Sequence, residues 1–74
     1  MNRNAKIQKL SNAIREYRGR FDADHKYWLE RPKPTAGKRV VDWLVKLGLP
    51  VEESIKKIQG FRVVSELDTW LKSL

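Results

Sequence analysis

The chain has 74 residues, no cysteine and a single histidine, His25, so it reads as one domain without disulfides, Cys-type zinc sites or multi-histidine sites. Its net charge is +7, and the whole excess lies in residues 1–39, where eleven lysines and arginines face four acids, while residues 40–74 carry five of each. Solubility accounts for a net charge of about 2 to 8 in a small domain, but so lopsided a distribution points to a polyanionic partner.

A chain this short buries a small share of its surface. Its stability must come from a packed helical core, to which Trp28, Trp43 and Trp70 contribute, or from self-association. No apolar run approaches the roughly 20 residues of a membrane-spanning helix, and "MNRNAKIQKL" has no apolar signal-peptide region. The expectation is a cytoplasmic protein with no membrane partner.

In chain order, "NRNAKIQKLSNAIREYR" predicts a basic amphipathic helix over 1–18. Ile7, Leu10, Ile14 and Tyr17 fall at i, i+3, i+7 and i+10, and Gly19 ends the helix. Its cations scatter, with Lys6 and Lys9 on one flank and Arg15 and Arg18 on the other. Residues 19–36 read as a short β-hairpin, roughly 20–31 around "ADHK", followed by the extended connector "RPKPT". Strand alternation places Phe21 and Trp28 inward and Arg20, Tyr27 and Leu29 outward.

Residues 37–74 read as a three-helix bundle. Its first helix, "AGKRVVDWLVKLG", has Thr35 as candidate N-cap and is apolar around most of its circumference, which predicts a central position. "VEESIKKIQ" follows a tight "GLP" turn, with Glu52 and Glu53 at its positive end. The last helix starts near Ser65, where Ser65 and Asp68 resemble a capping box. The fold class is therefore mainly α, a small four-helix domain with a short hairpin after its first helix.

Catalytic and metal chemistry find little support. "DADH" offers Asp22, Asp24 and His25, yet an EF-hand loop would need Gly and Glu where Tyr27 and Lys33 stand. A polar turn explains these residues. Ser11, Ser54, Ser65 and Ser73 have only His25 as a base, and no phosphate-cradling glycine motif occurs. The expectation is a non-enzyme with no cofactor and no metal. A helix-turn-helix reader is also disfavoured, because its recognition helix would aim Glu52 and Glu53 between phosphate rails.

The segment "LVKLGLPVEESIKKIQGFRVVSELDTWLKSL" resembles the ubiquitin-associated (UBA) three-helix fold over about half the chain. Leu47-Gly48-Leu49 match the family's apolar-Gly-apolar turn, Glu52-Glu53-Ser54 its second-helix start and Trp70-Leu71 its closing apolar pair. The chain departs from the family where Met and Phe or Tyr usually flank the glycine, and where "GFRVV" replaces a polar loop. The resemblance implies a partner protein held through Leu47, Gly48, Leu49 and Leu71, not ubiquitin itself, and the adaptor reading adds Trp70 to that surface.

The basic half leads to a different expectation: nucleic acid, DNA or RNA, with phosphates contacted by Arg18, Arg20, Lys26, Arg31, Lys33, Lys38 and Arg39. Tyr17, Tyr27 and Trp28 are the candidate stacking rings, although a domain this small needs at least one of Phe21 and Trp28 in its core. Helix amides near Ala36 and Gly37 form a candidate anion site. The alternatives are the protein-interaction adaptor and a homodimer formed by pairing of the first helix's apolar stripe.

Overall fold

A computed structural model describes residues 1–33 and 35–74; Pro34, within the expected connector, lies outside the described residues. Four helices follow in order: α1 (Arg3–Arg18), α2 (Lys38–Lys46), α3 (Val51–Gly60) and α4 (Val64–Lys72). Asn2 caps α1, its side chain accepting the Ala5 N–H at 2.8 Å. Leu10, Ala13, Ile14 and Tyr17 make the buried stripe of α1. α1 packs against α2 and α4, and α2 also packs against α3.

The fully buried side chains come from all four helices: Leu10 and Ile14 of α1, Val40 and Leu44 of α2, Ile58 of α3 and Leu67 of α4. Each such side chain contributes about 1.5–3 kcal/mol when taken from water. The first and second helices supply two of these side chains each. None of these helices is long and apolar enough to cross a membrane.

Several expectations are corrected. Thr35 is not the N-cap of α2: that position is Gly37, extended at φ −65° and ψ 141°, with no side-chain cap bond. Gly37 passes beside the Tyr17 ring, where an added Cβ would sit 3.6 Å from Cδ1. The helix starts only beyond that crossing. Nor is α2 buried on most sides. Val40, Leu44 and Leu47 face the core, whereas Val45 is exposed and Trp43 is half-buried with the Lys46 ammonium 4.4 Å from its ring centroid. The turn after α2 closes as a Schellman motif: Leu49 N–H donates to the Leu44 carbonyl and Gly48 N–H to that of Val45, with Gly48 at φ 72°.

The α4 start is corrected as well. The N-cap position is Val63, Ser65 lies within the helix, and the Glu66 carboxylate reaches back to the Arg62 N–H at 2.9 Å. Asp68 instead pairs with Arg15 at 3.1 Å.

There is no β-hairpin among the described residues. The segment makes isolated antiparallel bridges, Phe21 with Trp28 and Tyr27 with Val63. Its second limb divides its bonds between two neighbours. Leu29 N–H donates to the Arg20 carbonyl and Tyr27 accepts from Asp22 N–H, but Trp28 N–H donates to Arg62 and Lys26 accepts from Val64 N–H. Pairing split this way gives single bridges rather than a ladder. Lys26 adopts φ 62° to make the turn, which Asp22 braces by accepting the Asp24 N–H. Phe21 and Trp28 meet edge to face at 5.8 Å, and the predicted alternation stands, with Tyr27 and Leu29 outward.

Candidate nucleic-acid interface

The seven predicted phosphate contacts separate into three groups. Arg18 leaves the surface altogether: it is 4% exposed, and its Nη1 donates to the Ile58 carbonyl at 2.6 Å. Its guanidinium carbon lies 5.2 Å from the Trp28 ring centroid. Desolvation pulls its pKa below the ordinary arginine value, partly opposed by Tyr17 and Glu66. An arginine remains a cation at neutral pH even so.

Arg20 and Arg39 stay outside but have acidic neighbours. Arg20 Nε is 3.5 Å from Glu30, and Arg39 Nη1 bonds Glu16. Such exposed pairs are weak and screened, so both arginines can still turn to another anion. Lys26, Arg31, Lys33 and Lys38 form the third group, exposed and without an acidic group within ion-pair distance among the described residues.

The stacking candidates separate too. Tyr17 is buried; its hydroxyl donates to the Lys33 carbonyl at 2.7 Å and accepts from Gln59 Nε2 at 3.0 Å, tying α1, the connector and α3 together. Trp28 is half-buried between Phe21 and Arg18. Tyr27 remains the accessible ring, 54% exposed. At the candidate amide site, Ala36 and Gly37 are half-buried, and the first turn of α2 carries no acidic residue.

The fold adds a residue that sequence reasoning missed. The bridge from Tyr27 to Val63 brings Arg62 beside the basic connector, although Arg62 lies in the electroneutral half. Between residues 27–32 and 59–62 runs a groove of about 570 Å³ whose lining includes Arg18, Tyr27, Trp28, Arg31 and Arg62. Glu30, already beside Arg20, is the acidic residue of that lining. No local sequence signal joins Arg62 to Arg31, because the two meet only through the bridge.

The residues of the alternative protein-binding surface lie elsewhere. Leu47 is buried, Gly48 is exposed at the turn, and Leu49, Trp70 and Leu71 are half-buried. Leu49 and Trp70 line a hollow of about 300 Å³ with Pro50, Glu53 and Lys57. Trp70 also borders a second hollow of about 350 Å³, beside Phe61 and Thr69.

The chain matches no protein-family model, and no curated protein and no solved structure matches it.

Proposed function

We propose that this chain is a small, non-enzymatic, accessory or regulatory protein that binds nucleic acid through phosphate contacts made by Lys26, Arg31, Lys33 and Lys38. One observation carries the reading. The acids of the N-terminal half are largely engaged, Glu16 with Arg39, Glu30 with Arg20 and Asp22 with the Asp24 amide and His25. These four cations have no such neighbour among the described residues. Arg20 and Arg39 supply further charge at the rim.

Binding of this kind releases counterions and weakens steeply with salt, while discriminating little among sequences. Fluorescence anisotropy with labelled oligonucleotides, single-stranded and duplex, tests it between about 50 and about 200 mM salt. The expected result is saturable binding at the lower salt, lost on replacing Lys26, Lys33 and Lys38 together by Gln. Absence of binding at the lower salt ends the proposal.

The second reading is a protein-interaction adaptor, supported by the partial exposure of Leu49 and Trp70 and by the hollows on either side of Trp70. Its test is a pull-down in which Leu49→Glu loses a partner that the unaltered chain retains.

A further inference from the structure

We propose that the groove between residues 27–32 and 59–62 takes single-stranded nucleic acid, with a base stacked on Tyr27 and the adjoining phosphates held by Arg31 and Arg62 above the buried Arg18. This rests on the nucleic-acid reading above and goes beyond it by naming the strand form and the site.

The floor of the groove is unusual in its charge. Arg18 is 96% buried on its 4% residual exposure and has no carboxylate within ion-pair distance among the described residues. Its bonded partner is a neutral carbonyl, that of Ile58, and Glu66 offsets its charge only in part, from beyond ion-pair distance. A cation set in a low-dielectric wall projects its potential into the adjoining cleft rather than into bulk water.

The rim completes the chemistry. Arg31 and Arg62 are exposed and unpaired among the described residues, and the Arg62 backbone is fixed by its N–H bond to Glu66. Tyr27 and Leu29 stand outward, 54% and 61% exposed, on the limb whose alternate residue Trp28 turns in. Aromatic faces beside cations bind unpaired bases, which every single strand offers and a duplex hides in its stack. A volume of about 570 Å³ suits a nucleotide-sized group. No duplex reader competes at α3, whose exposed first turn presents Glu52 and Glu53.

The experiment titrates the full chain with labelled single strands of thymidines or uridines and with a duplex of equal length, alongside Tyr27→Ala, Tyr27→Phe, Arg62→Gln and, as a control on the far part of α1, Lys9→Gln. Single strands should bind at least about ten-fold more tightly than duplex, and Tyr27→Ala should weaken them roughly five- to hundred-fold, as loss of one stacked base does, with Tyr27→Phe restoring most of it. Arg62→Gln should lower the salt slope by about 0.7, the share of one phosphate contact on a single strand, with Lys9→Gln changing little. All three altered side chains, Tyr27, Arg62 and Lys9, are exposed, so these variants retain the fold, checked by circular dichroism. Duplex bound as tightly as single strand, or Tyr27→Ala binding as the unaltered chain while the Lys26, Lys33 and Lys38 replacements abolish binding, overturns the groove and leaves the electrostatic reading standing. Absence of any binding at low salt overturns both.

Discussion

Among the four glycines, Gly19 has the least room for a side chain, and a glycine series measures it. Gly19 sits at φ 78° and ψ −150°, and a Cβ added there would overlap the Glu30 carboxylate. That backbone region is almost closed to other residues and strains an L side chain by about 1–3 kcal/mol. The carboxylate is the movable end of an exposed side chain, so its displacement adds only a few tenths of a kcal/mol. Gly19→Ala should therefore destabilise the fold by about 2 kcal/mol, lowering Tm by about 8–16 °C at the sensitivity of a domain this size.

Gly48, also at positive φ (72°), has open space around its Cβ position, and Gly48→Ala should destabilise by about 1–2 kcal/mol from the left-handed backbone alone. Gly60, in the last turn of α3, has open space and no positive φ. Gly60→Ala should stabilise by about 0.4–1 kcal/mol, chiefly by restricting the unfolded chain. Thermal and urea melts followed at 222 nm report all three. A Gly19→Ala variant no less stable than Gly60→Ala would refute the assigned geometry at Gly19, both its positive φ and the neighbouring Glu30 carboxylate.

Three further outcomes are expected. Tyr17→Phe removes the bond to the Lys33 carbonyl and should destabilise by about 1–2 kcal/mol. The loss should lower Tm by about 4–8 °C per kcal/mol, and an unchanged Tm would contradict the tethering role. Asp22 is held below the ordinary aspartate pKa by the Asp24 amide first and the His25 side chain second. A depressed folded pKa stabilises above the unfolded value near 4, and the gain disappears as pH falls through the folded value. Asp22→Asn should accordingly melt lower at neutral pH and converge with the unaltered chain in acid; an offset constant with pH refutes it. Asp68→Asn breaks an ion pair whose side chains are 38% and 52% exposed, and should shift stability by under about 1 kcal/mol at moderate salt, read from urea midpoints.

Much of the architecture was legible from local signals. Ile7, Leu10, Ile14 and Tyr17 marked the buried stripe of α1, Gly19 and Gly48 its end and that of α2, and the i, i+2 alternation set Tyr27 and Leu29 outward. Each depends on neighbours within about one helical turn or one strand repeat, so the order of residues along the chain is enough to decide it. Thr35 and Ser65 misled because capping preference is a modest term. The observed starts lie instead where Gly37 passes the Tyr17 ring and where residues 62–64 bond to 26–28.

The site divides along the same line. An excess of cations in residues 1–39, and the presence of aromatic rings among them, are properties of the chain alone. Which cations remain available is not. Arg18 and Tyr17 look as exposed as their neighbours in the linear sequence, yet they are drawn inside by Ile58, Lys33 and Gln59, partners 40, 16 and 42 positions away. Arg62 arrives at the groove through a bridge from Tyr27 to Val63. Burial and pairing depend on contacts between distant segments, and those exist only once the helices have packed together.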